Sequence, residues 1–289
     1  MSNYFISRWI DIIITAIAPI IWGSTYIVTT QYLPPDRPFT SALIRVLPAG
    51  ILLLLLTRNI PKKVDWFRLL VLGALNIGFF QAFLFIAAYR LPGGLAAVLG
   101  AIQPLVVMLI TWVVDGKSPI QTALWSATAG VIGMAILLLS PQTTFEPIGI
   151  IAALMGAICM ACGVWLSSHW KLDLPLLPLT GWQLLIGGLI LIPMAFMVDT
   201  PLTILKPSEL VAYTYLSLAG ALLAYVLWFR GIKKLPTVAV ASLGLLSPIT
   251  AVVLGWIFLS EKISGSALFG LIIVLTSVFI VQKTSTKLN

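Results

Sequence analysis

The chain has 289 residues, 60% of them hydrophobic and 9% charged, with a mean hydropathy of +1.08. A soluble domain carries about 25% charged residues, so this surface is built to face lipid rather than water. The formal net charge of +8 comes from basic residues in short loops between apolar runs, which reads as membrane topology and not as a nucleic-acid footprint.

A membrane span needs about 20 mostly apolar residues. Ten segments meet that need: Trp9–Thr30, Pro38–Thr57, Phe67–Ala88, Gly93–Val114, Pro119–Leu139, Ile148–Ser168, Leu179–Val198, Glu209–Phe229, Thr237–Leu259 and Ser266–Val281. The first run is too long for a signal-peptide core and no small-residue cleavage site closes it, so it reads as a retained span. The expected fold class is an all-α polytopic membrane protein.

Orientation follows from the basic residues. Arg8, Arg58, Lys62, Lys63, Arg68, Lys117, Lys171, Arg230, Lys233, Lys234, Lys283 and Lys287 fall on one side of the ten spans. Arg37, Arg90, Lys206 and Lys262 fall on the other, and Arg45 lies within a span. The positive-inside bias therefore puts both termini in the cytoplasm of a bacterial inner membrane.

The chain repeats itself. At an offset of 144, Phe85–Trp112 aligns with Phe229–Trp256 through Phe85/Phe229, Leu91/Leu235, Pro92/Pro236, Ala97/Ala241, Leu99/Leu243, Gly100/Gly244, Pro104/Pro248 and Trp112/Trp256. The reading is a first five-helix repeat over residues 1–140, a connecting loop over 141–146 and a second repeat over 147–289. Five spans is an odd number, so the second repeat enters from the opposite side and is inverted. Inverted repeats are a transporter signature, with substrate bound at their interface near the midplane.

The candidate site residues are the polar and aromatic side chains within the spans, where burial costs energy unless they are partnered or line water. They are Trp22, Tyr26, Arg45, Asn76, Gln81, Gln103, Trp165, Gln183, Tyr225, Trp228 and Ser247. Trp22 and Tyr26, four apart, share a helix face. Asn76 and Gln81 are five apart, so in a regular helix both cannot point squarely inward. Helix-to-helix hydrogen bonding or interfacial anchoring is the structural alternative for each, and snorkelling toward the outer face is that for Arg45. Pro104 and Pro248, at matching mid-span places, each remove an N–H and are read as kinks or hinges. Ala241, Gly244, Ala251 and Gly255 form one small-residue stripe, suited to close helix packing or to a cavity wall.

Other chemistries lack their residues. Cys159 and Cys162 are a single C-x-x-C pair on one helix face, too few ligands for a tetrahedral metal site, and read as small packing residues. The one histidine, His169, excludes an H-E-x-x-H protease, and no G-x-x-x-x-G-K-[ST] loop is present for an ATP-driven pump. No paired aspartates are placed to hold magnesium and diphosphate. No cofactor or metal is expected. Every Asp and Glu falls at a span end or in a loop, so no mid-membrane carboxylate is available as a proton relay, and downhill transport, or coupling without such a relay, is expected. One buried arginine is too few for a phosphorylated solute, and no buried carboxylate awaits a cationic drug. A neutral or zwitterionic solute fits best.

Several stretches have a familiar form. Pro19-Ile-Ile-Trp22-Gly23-Ser24-Thr25-Tyr26 resembles the helix-one signature of the EamA family in the drug/metabolite transporter superfamily. Arg45 stands where that family has an arginine in helix two. Ala88-Tyr-Arg-Leu-Pro-Gly-Gly-Leu-Ala-Ala97 resembles its helix three–four turn, and Ser260-Glu261-Lys262 the acidic motif closing helix nine. Asp115-Gly116-Lys117 departs from the usual Gly-Glu-Arg order. The resemblance implies a basket of ten helices, with one to four and six to nine around a central cavity and five and ten bracing the outside. It also implies export of small metabolites, often amino acids or their derivatives, with a broad-specificity drug or pigment exporter as the alternative and a membrane-embedded enzyme less favoured. The expected partners are a small-molecule substrate and membrane lipid, with no nucleic acid. A monomer is plausible and the oligomeric state is left open.

Overall fold

The computed structural model describes residues 2–91, 93–139, 146–170, 172–202, 204–259 and 265–286. Among them there are ten helices long and apolar enough to cross a membrane, and no strand. We number them α1 (Ser2–Tyr32), α2 (Pro38–Thr57), α3 (Trp66–Gly73, Ala74–Phe79 and Phe80–Arg90), α4 (Gly93–Gly100 and Gln103–Asp115) and α5 (Gln121–Leu138). The second five are α6 (Pro147–His169), α7 (Leu176–Val198), α8 (Pro207–Ser217, Leu218–Leu223 and Ala224–Lys234), α9 (Thr237–Leu243 and Leu246–Phe258) and α10 (Gly265–Thr286).

Helix ends follow local chemistry. Pro38, Pro147 and Pro207 open α2, α6 and α8, where a missing N–H costs nothing. The Glu146 carboxylate accepts the Gly149 N–H at 2.5 Å and caps α6. α4 ends at Gly116, whose φ of +68° is the left-handed conformation that closes a helix. Several helices run further than hydropathy alone predicts. α8 extends past Phe229 to Lys234, because Arg230 pairs with Asp11 of α1 at 2.5 Å and Lys233 reaches the Leu174 carbonyl at 3.2 Å. α10 continues past Val281 because Gln282 donates to the Ala239 carbonyl at 2.7 Å and Arg8 donates to the Ser285 carbonyl at 2.7 Å.

α3 and α8 each contain a six-residue π segment, and these segments lie 144 residues apart, at the offset of the sequence repeat. α4 and α9 are each broken one turn before their mid-span proline. In α4 the Ala101 N–H bonds the Val98 carbonyl at 3.1 Å, and in α9 the Gly244 N–H bonds the Ala241 carbonyl at 3.1 Å. These tighter i→i+3 bonds precede Pro104 and Pro248, which sit in the first turn of the helix that resumes.

The packing follows the same rule. α2 lies along α7 and α5 along α10; α6 packs on α3 and α4, as α1 packs on α8 and α9. Exchanging every helix with the one five places on maps this set of neighbours onto itself. The close pairs depend on small residues. A Cβ on Gly187 of α7 would collide with the Ile77 side chain of α3. The largest buried side chains, Trp228, Tyr225 and Phe229, sit on one face of α8 in the main core.

Candidate functional site: a buried polar seam between the halves

α8 brings Tyr225 and Trp228 inward at 1% and 0% exposure. Trp22 of α1 lies against both, with ring centroids 5.1 and 5.2 Å away and planes tilted by 57° and 56°. Phe229 stacks on Tyr225 at 5.8 Å. Next to this aromatic cluster, the Gly220 carbonyl in the α8 π segment accepts two hydrogen bonds. One comes from Trp22 Nε1 at 3.0 Å and one from Arg45 Nη2 of α2 at 3.0 Å. Arg45 is 6% exposed, so it turns inward and does not snorkel. Its charge is solvated by a backbone dipole, the kind of partner an intramembrane cation requires.

Gln81 of α3 donates Nε2–H to the Tyr225 hydroxyl at 3.1 Å. These two residues are repeat mates, 144 apart, and both are buried. Asn76 of α3, the mate of Gly220, donates to Gln183 Oε1 of α7 at 2.9 Å and to Ser167 Oγ of α6 at 3.1 Å. Asn76 and Gln81 are 0% and 1% exposed and find partners on different helices, Asn76 on α6 and α7 and Gln81 on α8. The π segment Ala74–Phe79 adds a residue to the turn, so positions five apart come closer to one face.

Gln103 of α4 reaches the same place beside Gly244 of α9. Its Oε1 is 3.6 Å from the point a Gly244 Cβ would occupy, and the Trp228 ring is 3.9 Å from it. Three buried polar atoms in this region make no hydrogen bond among the described residues: Gln81 Oε1, Gln103 Nε2 and Trp228 Nε1. An acceptor and two donors are thus held out of solvent beside an aromatic cluster. Native structures rarely leave buried polar atoms unpaired, and where they do, a ligand or ion is one explanation.

The structure therefore gathers Trp22, Arg45, Gln81, Tyr225, Trp228 and Gln103, with Asn76 and Gln183 in an adjoining amide network. Trp165 goes elsewhere, and of Ser247 the described contact is a backbone one. Trp165 donates Nε1–H to Asp115 Oδ2 at 3.2 Å and stacks on His169 at 4.2 Å, while His169 Nε2 pairs with the same carboxylate oxygen at 3.1 Å. Ser247 sets its backbone carbonyl against Gly23 of α1. The Tyr26 side chain and the Ser260-Glu261-Lys262 motif lie outside the described residues, as does the connecting loop apart from Glu146.

The sequence reading missed Ser167, Gly220 and two hydroxyl pairs. Ser167 completes the Asn76 network, and the Gly220 carbonyl has no side chain to betray it. The hydroxyl pairs Ser24–Tyr215 at 2.6 Å and Ser41–Tyr213 at 3.1 Å tie α1 and α2 to the start of α8. Gly220 alone carried a signal, because it lies at the repeat offset from Asn76.

Ten apolar helices around a buried polar and aromatic seam define a polytopic membrane protein of the transporter class. The EamA-like transporter family model matches residues 9–139 and 147–282, and the chain belongs to that family, within the drug/metabolite transporter superfamily. It is 42% identical over 271 residues to protein PecM of Dickeya dadantii, covering 93% of this chain and 91% of PecM. It is also 28% identical to a WAT1-related chloroplast protein of Arabidopsis thaliana, covering 90% of this chain and 66% of that one. The uncharacterized inner membrane transporter YedA of Escherichia coli K12 is 29% identical, with coverage of 82% and 78%. A crystal structure of another protein has the same fold, with a TM-score of 0.82 at 17% identity over 96% of this chain and 98% of that chain.

Proposed function

We propose that this transporter exports small neutral or zwitterionic metabolites, amino acids or their derivatives, by alternating access across a bacterial inner membrane. Both termini are cytoplasmic and the halves form an inverted repeat. The observation that carries the reading is the Gln81–Tyr225 contact between repeat mates, at the centre of a packing pattern that exchanges α1–α5 with α6–α10. The separate matches of one family model to residues 9–139 and 147–282 support the same duplication. In an inverted repeat each half can take the conformation of its mate, which exchanges one open face for the other.

The seam suits the proposed cargo. Arg45 offers a cation to a carboxylate, and Gln81 Oε1, Gln103 Nε2 and Trp228 Nε1 offer one acceptor and two donors. Trp22, Tyr225 and Trp228 offer aromatic faces, and these favour a pigment or aromatic drug as the second reading. The acids of the described spans are engaged: Asp11 with Arg230, Asp115 with His169, and Glu209 with the Lys206 N–H at 2.7 Å. Transport then runs downhill, without a mid-membrane proton relay.

The test is counterflow in proteoliposomes preloaded with threonine, homoserine, cysteine, aromatic amino acids, a neutral pigment-like compound, a quaternary ammonium or a sugar phosphate. Saturable exchange of an amino acid without an imposed proton gradient is the expected result. Exchange confined to the pigment or the quaternary ammonium selects the second reading. Exchange that occurs only under a proton gradient overturns the downhill mechanism.

A further inference from the structure

A second chamber lies apart from the aromatic seam. A cavity of about 320 Å³ sits where the turn after α6 meets the adjoining ends of α3, α7 and α8. That volume is at the lower end of small-molecule pockets. Its chemistry is divided. Trp170 and Phe229 give it aromatic sides, and Ser167, Ser168 and Gln183 give it polar groups. The polar groups are held in place: Gln183 Oε1 and Ser167 Oγ each accept from the fully buried Asn76 Nδ2. Ser167 spends its oxygen on Asn76, which leaves its O–H to be offered to an occupant.

Charge is more selective than shape here. Among the described residues lining the cavity, Lys233 is the one charged group. Its Nζ donates to the Leu174 carbonyl at 3.2 Å, which holds the ammonium over the turn that forms one wall. No carboxylate is among the described lining residues, and the acids nearby are engaged. Asp173 pairs with Lys62 at 2.5 Å, and Asp115 is held by His169 and Trp165.

We propose that this cavity is a binding site for a small solute with a carboxylate and an apolar or aromatic body, occupied before the solute reaches the seam. The proposal rests on the transporter reading above. The carboxylate binds Lys233 Nζ as an ion pair, through an N–H that the Leu174 carbonyl does not take, because the ammonium carries three donors. The body lies along Trp170 and Phe229, and a polar substituent reaches Ser167 or Ser168. A zwitterion and a simple organic anion are both accepted, because nothing on the wall depends on an amine. A cation is rejected, because it meets Lys233 and finds no counter-charge.

The test measures equilibrium binding of radiolabelled 3-phenylpropionate to the purified chain in nanodiscs, with phenylalanine and phenylalaninamide as competitors. These probes share one body and differ in charge. The expected result is saturable binding, competition by phenylalanine and none by the cationic amide. Lys233→Gln weakens binding about tenfold or more, while Lys233→Arg retains it. Place is fixed by Ser168→Cys in a Cys159→Ala/Cys162→Ala background: 3-phenylpropionate slows its labelling by an impermeant maleimide, in the Trp22→Ala variant as well. Absence of saturable binding, equal affinity in Lys233→Gln, competition by the amide, or unprotected labelling overturns the site. Counterflow separates the two readings. If the site fails while counterflow persists, transport stands without it; if Lys233-dependent binding holds in a chain with no counterflow, the site stands without transport.

Discussion

A single buried amide, Asn76, fixes three helices by donating to Ser167 and to Gln183. It fits only because its neighbour on α6 is Gly163, where a Cβ would collide with Asn76 Oδ1. The same logic sets a contrast among glycines. Gly187→Ala forces a methyl into the Ile77 side chain and is expected to destabilise by about 1–3 kcal/mol, the usual cost of overpacking. A Cβ on Gly100 meets nothing within 4 Å, so Gly100→Ala is expected to leave the melting temperature unchanged or slightly raised. Thermal melts of the two variants in detergent check both. The Gln81–Tyr225 pair makes a second residue-scale prediction. Tyr225→Phe leaves the buried Gln81 amide without its partner and should cost about 1–3 kcal/mol. Adding Gln81→Leu should recover part of that loss, because no polar group then remains unpaired; a double-mutant cycle of melts reads the coupling.

Lys62 and Asp173 show the surface limit of such effects. Their hydrogen bond holds the Asp173 carboxyl below its ordinary range and raises the Lys62 ammonium above its own. The pair's contribution is therefore present between the ordinary carboxylate and lysine ranges. It is lost as pH falls through the lowered Asp173 value, or rises through the raised Lys62 value. Both side chains are exposed, at 67% and 79%, so salt screens the pair. Asp173→Asn is expected to leave the melting temperature at wild-type level in physiological salt, measured at neutral pH and again at pH 3.

Among the elements, the two broken helices and the two π segments are the departures from regular α-helix. α4 and α9 each stop and restart just before a proline, so each holds a joint where backbone bonds are already missing. Pro104→Ala and Pro248→Ala restore an N–H at these joints. Each is expected to slow counterflow several-fold while keeping the melting temperature at or above wild type; equal exchange rates in both variants would remove the prolines from the transport cycle. α5 and α10 are different. Ser277 Oγ bonds the Ser126 carbonyl, and Gly133 and Gly270 bring the two backbones together. Small residues of this kind let two helices pack closely in lipid.

For the whole molecule, orientation and repeat are one argument. On the proposed topology, a cysteine replacing Lys117 should be shielded from an impermeant thiol reagent in intact cells, and one replacing Ser208 should be labelled; both belong in a chain lacking Cys159 and Cys162. The opposite pattern reverses the topology and places the Lys233 cavity on the outer face.

The sequence by itself determined the ten spans, because a bilayer demands about 20 apolar residues at each crossing and the loops are too short to hide another element. It also marked the matching segments 144 residues apart and the two mid-span prolines where α4 and α9 break, because proline acts locally, on its own N–H. Most of the seam was legible as well: a polar side chain in an apolar span must find a partner, so Trp22, Arg45, Gln81 and Tyr225 stood out. What the tertiary structure decided was which partner each one found. Trp165 has the same credentials as Trp228, yet one meets Asp115 at a helix end and the other lies fully buried against Trp22. The π segments were beyond the reach of periodicity, since one extra residue in a turn leaves no mark on composition but redirects every side chain after it. The Gly220 carbonyl, which gathers Arg45 and Trp22, was hidden for a simpler reason. It is backbone, and every residue has one; only packing α1, α2 and α8 together made this one a site.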